Sequence, residues 1–235
     1  MTTTLITGAN KGLGLESARR LVALGHTVYL GARDAGRGQR AADEIGAHAV
    51  HIDVTDDDAV ESAARDVRER SGHLDVLVNN AGIIGPLRAA SDLTADDVRT
   101  VYETNVFGVV RVTQAFLPLL EAAAAPVVVN VSSGLGSLAI AEEPAKYEHI
   151  LPVYYAGLGY NSSKAALNML TAQYAHAHPT IRFNAVDPGW TATDLNGHRG
   201  VQTVEEGARI IVDMALTGSG GPTGGFFGNS GPVPW

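Results

Sequence analysis

The chain of 235 residues carries 17 Lys+Arg against 25 Asp+Glu, a formal charge of −8, with 45% hydrophobic and 18% charged residues and no cysteine. That length suits one α/β domain with a sizeable core, and the acidic balance gives no electrostatic footprint for nucleic acid or an anionic membrane surface. The lack of cysteine excludes disulfides, Cys-ligated metal and a Cys nucleophile, and no apolar run approaches the roughly 20 residues needed to span a bilayer. The opening MTTTLITGAN has neither a basic segment nor a long apolar one, so no signal peptide is read and a cytoplasmic location is expected.

In chain order, buried strands rich in Val, Ile and Leu are expected at 2–6, 27–30, 49–52, 74–78, 127–131 and 181–186. Helical spacing falls between them, at 13–24, 37–45, 57–70, 95–120, 162–176 and 204–216. Thr55 and the three Asp after it suit the capped start of the helix at 57–70. Alternation of this kind predicts a doubly wound, Rossmann-type α/β fold with about seven parallel strands and helices on both faces. Two stretches break the rhythm. The segment 134–159 holds Pro144, Pro152 and several glycines, and the tail 218–235 reads as turns around one short strand near 225–228.

Thr7-Gly8-Ala9-Asn10-Lys11-Gly12-Leu13-Gly14 joins the first strand to the first helix. Glycines there permit positive φ and bring backbone and helix N–H groups close to a pyrophosphate. The spacing Gly8, Gly12, Gly14 is neither a P-loop nor Gly-x-Gly-x-x-Gly, and a strand-to-helix turn with incidental glycines would look the same. The second strand ends Gly31-Ala32-Arg33-Asp34. An acid at that place selects NAD, whereas an arginine accommodates a 2′-phosphate, so Arg33 with Lys11 favours NADP(H). A register slip of one residue would bring Asp34 to the ribose instead.

Tyr160 and Lys164, four residues apart at the start of a helical segment, fall on one helix face. An ammonium beside a phenol lowers its pKa from about 10 and makes it able to exchange a proton with an alcohol or carbonyl oxygen. The chain has three lysines, Lys11, Lys146 and Lys164, and no other tyrosine has one four residues on. Asn130-Val131-Ser132-Ser133-Gly134 ends the fifth strand, at the ligand-binding edge of a parallel sheet. A serine hydroxyl there donates to a developing oxyanion or merely satisfies turn backbone groups.

These residues, with Asp53-Val54, Asn79-Asn80-Ala81-Gly82, Asn105 and Pro188-Gly189 in the same order, resemble the short-chain dehydrogenase/reductase family over essentially the whole chain. The resemblance implies Tyr160 as catalytic acid/base, Lys164 lowering its pKa and bonding the nicotinamide ribose, Ser133 polarising the substrate carbonyl, and Asn105 holding a water in a proton relay. It also implies a cofactor bound by Gly8, Asn10, Lys11, Gly12, Leu13, Gly14, Arg33, Asp53, Val54, Asn80, Ala81, Gly82, Pro188, Gly189 and Thr191, together with Tyr160 and Lys164. Ser132 would face away if the strand stays regular to its end.

Within the family, Thr7–Gly12 with Ala32-Arg33-Asp34 and Arg37-Gly38-Gln39 looks most like the NADPH-dependent carbonyl reductases. The 27 positions from Ser133 to Tyr160 exceed the common family interval, as they do in the monomeric carbonyl reductases. The resemblance thus implies a monomer or a small homo-oligomer, and an insertion at 134–159 beside the active site. The expected activity is NADPH-dependent reduction of a ketone or aldehyde carrying a hydride to the carbonyl carbon and a proton from Tyr160 to the oxygen. Alternatives are an NAD(P)-dependent alcohol dehydrogenase working oxidatively and an NADP-binding sensor without turnover. Tyr154, Tyr155, Trp190 and Trp235 suggest a flat, apolar carbonyl substrate. The eight histidines form no ligand pattern, and no metal is expected.

Overall fold

In the computed structural model, which describes residues Met1–Trp235, successive strand residues alternate between two apolar layers, as the two-residue period of a pleated strand requires. Leu5, Leu77 and Val128 enter one layer, while Ile6, Val78 and Val129 enter the other. The strands are β1 (Thr3–Ile6), β2 (Thr27–Ala32), β3 (His48–His51), β4 (Val76–Asn79), β5 (Val127–Val131), β6 (Arg182–Asp187), β7 (Phe226–Gly228) and β8 (Gly231–Pro232). They form one sheet in the order β3-β2-β1-β4-β5-β6-β7-β8. All pairings are parallel except β7 with β8.

One layer is covered by α1 (Gly12–Ala23), α2 (Ala35–Ile45) and α8 (Val204–Ala215), through residues such as Leu21, Ala42 and Ile211. The other is covered by α3 (Asp57–Ser71) and α5 (Gly108–Glu121), through Val60, Val67, Val112 and Phe116, and by Tyr174 of α7 (Leu158–Ala177). The doubly wound expectation holds, and the strand order reverses between β1 and β4, where a parallel sheet opens a crevice at its C-terminal edge.

Four details differ from the sequence reading. The sheet has eight strands: the tail folds back after Gly228, and β8 adds two residues antiparallel to β7, too few to leave a periodic signal. The long helix expected at 95–120 is α4 (Ala95–Tyr102), a π-type turn over Glu103–Phe107, and then α5. The helix expected to begin at 162 begins at Leu158. The cap of α3 is Asp56, which accepts from the Ala59 N–H at 3.0 Å, whereas the Thr55 hydroxyl turns back to Asp53 at 2.7 Å.

The segment between β5 and α7 is folded rather than loose. It contains α6 (Leu138–Glu142), capped by Ser137, and its Ile140 packs with Ala185, Phe226 and Val233. Trp235 stacks on Phe226, with ring centroids 5.5 Å apart, and its carbonyl accepts from the Ala139 N–H at 2.9 Å. The tail thus anchors the segment that leads into Tyr160. No helix is long and apolar enough to cross a membrane.

Candidate active site

The glycine loop is pinned from the neighbouring strand. The Thr7 hydroxyl accepts from the Asn80 and Ala81 N–H groups at 3.0 and 3.1 Å, and the Asn80 amide donates to the carbonyls of Thr7 and Gly8 at 2.9 and 3.1 Å. Gly8 has φ +63°, and a Cβ there would stand 2.9 Å from the Ala81 backbone, so both the conformation and the space require glycine. Gly12 and Gly14 open α1 at this edge, and Leu13 packs onto the core behind them.

Beside the loop lies an open cavity of about 430 Å³ whose walls include Asn10, Lys11, Arg37, Arg40 and Asp194. Lys11 Nζ contacts Asp194 at 2.7 Å, joining the glycine loop to the loop after β6. Arg33 is 80% exposed on its side chain and lies 4.0 Å from Asp53. Asp34 points elsewhere: it caps α2 by accepting from the Arg37 N–H at 2.9 Å. Partial burial pushes the Asp53 carboxyl up, but two hydrogen bonds from Thr55 and the charge of Arg33 outweigh it and hold it below the usual range. Val54 is buried, and its carbonyl accepts from Arg111 at 2.7 Å.

Asn105 sits in the π-type turn. Its amide nitrogen donates to the Ile83 carbonyl at 2.9 Å and to the Ser163 hydroxyl at 3.0 Å, while its oxygen accepts from the Ile83 N–H at 2.9 Å. One side chain thereby fastens the segment after β4 to α7, and the widened turn is what aims it there; such turns recur at functional sites. Gly82 lies against it: a Cβ there would be 3.3 Å from Asn105 Oδ1 and 3.7 Å from Lys164 Nζ.

The two serines diverge as strand geometry demands. Ser132 points toward α7 and donates to Asn168 at 2.6 Å, while Ser133 leaves the strand extended and faces the Tyr160 phenol. Lys164 is buried, donates to the Val131 carbonyl at 2.8 Å, and stands 5.5 Å from the centre of the Tyr160 ring. Burial lowers its pKa to about 8, against the opposing pull of Asp187.

Tyr160 departs from the expectation that its lysine neighbour makes it more acidic. Burial, then the nearby Tyr155 and Asp187, push the phenol above its ordinary range, and only Ser133 acts the other way. The Lys164 ammonium donates to the Val131 carbonyl and stands 5.5 Å from the ring centre, and burial outweighs the helical spacing in setting the phenol.

On the far side, Pro188 and Gly189 follow β6, and the Asp187 carboxylate accepts from the Gly189 N–H at 3.0 Å. Thr191 is buried, with its hydroxyl bonded to the Gly189 carbonyl at 3.3 Å and to Gln202 at 2.8 Å. The structure therefore brings Ser133, Tyr160, Lys164, Asn105 and Gly82 to one edge, with the Asp53–Arg33 pair and the Pro188–Thr191 loop flanking it.

Three residues were absent from the sequence reading. Asp187 is buried at the end of β6 directly before Pro188-Gly189, a position at the ligand-binding edge that could have flagged it. Asp194 and Gln202 act on Lys11 and Thr191 across gaps of 183 and 11 positions, without a local signal. The substrate side also differs. An apolar cavity of about 230 Å³ reaching Tyr160 is walled by Ile84, Leu87, Val98, Val101 and Tyr155, so the segment after β4 and α4 line it together with the end of the 134–159 insertion, and Trp190 and Trp235 do not.

Comparison with known proteins agrees with this geometry. The family model for short chain dehydrogenases matches residues 2–148. A short-chain dehydrogenase of Penicillium roqueforti is 38% identical over 92% of this chain and 88% of its own, and a (+)-neomenthol dehydrogenase of Arabidopsis thaliana is 35% identical over 90% of each. The structure of an NADPH-bound carbonyl reductase from chicken fatty liver superposes with a TM-score of 0.85 at 30% identity, covering 100% of this chain and 99% of that one. The chain is an oxidoreductase of the short-chain dehydrogenase/reductase family.

Proposed function

We propose that this protein is an NADPH-dependent carbonyl reductase in which Tyr160 protonates the oxygen of a ketone or aldehyde. The observation that carries the reading is Tyr160 in the wall of an apolar cavity with the Ser133 hydroxyl against its phenol and buried Lys164 beside its ring. A phenol holds its proton across neutral pH, which is the form a reductase needs. Ser133 and Tyr160 then present two hydroxyl donors to the developing alkoxide. Lys164 stands 5.5 Å from the centre of that ring and anchors the helix that carries the tyrosine to the end of β5. Asn105 holds the segment after β4 in register with α7, so that the pocket wall and the tyrosine keep a fixed relation.

The residues present fit a dinucleotide. Gly8 leaves room where any Cβ would meet Ala81, and Lys11, Arg37 and Arg40 stand around the open cavity beside it, with exposed Arg33 nearby. Such a set of cations suits an extra phosphate and favours NADP(H) over NAD(H). The cofactor, when bound, supplies the hydride. The apolar lining of Ile84, Leu87, Val98 and Val101 suits an uncharged, hydrophobic carbonyl compound.

The test is loss of NADPH and NADH absorbance with a panel of ketones, aldehydes and quinones, alongside Tyr160→Phe. Turnover with NADPH that falls at least about 10²-fold in the variant, with NADPH affinity retained, is expected. Full activity in Tyr160→Phe removes the tyrosine as acid, and failure to bind either cofactor ends the reading.

A further inference from the structure

We infer that Asp187 is a positioning residue of the active site, which ties the Ser133–Gly134 turn to the Pro188–Gly189 loop and sets a buried negative charge facing the Lys164 ammonium. Its assignment rests on the reading of Tyr160 and Lys164 as the reacting pair, and it adds to Asn105, Ser133, Tyr160 and Lys164 a fifth side chain that neither motif nor spacing suggested.

The geometry is specific. Asp187 ends β6 and is 6% exposed. One carboxylate oxygen accepts from the Gly189 N–H at 3.0 Å, and the backbone N–H of Gly134 lies on the side of the carboxylate that favours its ionised form. The other oxygen lies so near Gly134 that a Cβ there would stand 2.9 Å from it. The two loops meet on this carboxylate just beyond the strand bond from the Ser132 N–H to the Val186 carbonyl, 2.7 Å. Gly134 follows Ser133 directly, so the carboxylate fixes where that hydroxyl stands relative to the nicotinamide side of the crevice.

The electrostatics point the same way. A lone buried ammonium is costly, and Lys164 has only the Val131 carbonyl as a direct partner. Burial pushes the Asp187 carboxyl above its ordinary range, with the Gly189 and Gly134 backbone N–H groups and Lys164 acting the other way, and Asp187 in turn favours the protonated form of Lys164. The other titratable groups facing this centre are Tyr160 on the same helix and Tyr155 from the segment before it, with Arg199 from the loop after β6 facing Tyr155. Neither tyrosine is charged at neutral pH, which leaves Asp187 and Lys164 as the two groups at the centre able to form an ion pair.

With three lysines in the chain, the ammonium can be watched directly. Protein labelled at lysine Cε gives separate titrations for Lys11, Lys146 and Lys164 by NMR, and Lys164→Met assigns the third. In Asp187→Asn, which keeps the shape and removes the charge, the Lys164 midpoint is expected to drop by about one pH unit or more while Lys11 and Lys146 stay in place. The alkaline limb of kcat with NADPH should move down with it. Should Asp187→Asn fail to fold, the reciprocal measurement decides, because coupling is mutual: in Lys164→Met the Asp187 carboxyl, read by 13C labelling of aspartate, is expected to titrate higher than in the parent. An unchanged Lys164 midpoint in Asp187→Asn, or an unchanged Asp187 midpoint in Lys164→Met, overturns the assignment. These titrations need no turnover, so a Tyr160→Phe variant that stays active would sink the proposed function while leaving this result to stand or fall alone.

Discussion

Lys164 of α7 donates its ammonium to the carbonyl of Val131, the last residue of β5, at 2.8 Å. The bond crosses from a helix to the sheet edge and sets the depth at which the helix start, and hence Tyr160, meets the strand end that carries Ser133. The lysine is buried where it does this, so the same contact that locates the tyrosine also places a positive charge inside the protein.

Buried charge has a thermodynamic signature. Burial lowers the Lys164 ammonium to about 8 in the folded protein, from the 10.5 of a free lysine side chain. Between those values the unfolded chain binds the proton and the folded chain does not, so stability rises with pH across that window. The penalty is full below about pH 8 and fades as pH approaches 10.5. Urea unfolding of the parent and Lys164→Met should therefore show an advantage of the variant that shrinks by about 2 kcal/mol between pH 7 and pH 10. A constant difference across that range would mean the ammonium is not desolvated.

The serine pair separates by function. Ser133→Ala is expected to lower kcat by about 10²-fold with little change in unfolding midpoint, because it removes a donor aimed at the reacting oxygen. Ser132→Ala breaks the 2.6 Å bond to Asn168 and should cost about 1–2 kcal/mol of stability while leaving kcat within a few-fold. Paired kinetics and denaturant melts distinguish them, and the opposite pattern would exchange their roles.

Cofactor choice is expected to rest on exposed cations. Arg33→Ala should weaken NADPH binding by about tenfold to a hundredfold and leave NADH nearly unchanged, as fluorescence titration of both cofactors will show. A parallel loss of both would place Arg33 outside phosphate recognition.

Asn105→Ala removes three hydrogen bonds at once, two to Ile83 and one to Ser163. A stability loss of about 1–3 kcal/mol is expected, with hydrogen exchange at the Ile83 amide accelerated beyond the global effect. Exchange at Ile83 that merely tracks global unfolding would show that the turn holds its shape without the side chain.

The order of strands and helices was legible in the chain because each buried parallel strand is a short apolar run and each covering helix an amphipathic one. The glycine loop, the serine pair and the Tyr160–Lys164 spacing were legible because each lies within a few residues and its chemistry is local. What tertiary structure decided were relations between distant segments. The direction of the Lys164 ammonium followed from where β5 ends, and the phenol is held upward by burial instead of being made more acidic by its neighbour. The π-type turn at Glu103–Phe107 was invisible because apolar spacing runs on through it, and only the bonds from Asn105 to Ile83 explain the widening. Asp187, Asp194 and Gln202 read as ordinary polar residues until the fold brought them against Gly134, Lys11 and Thr191. Periodicity and motif report which face a residue takes and what its neighbours in sequence can do, whereas burial and the meeting of separate loops set the charge state and partners of a side chain, and these exist only once the sheet has closed its edge.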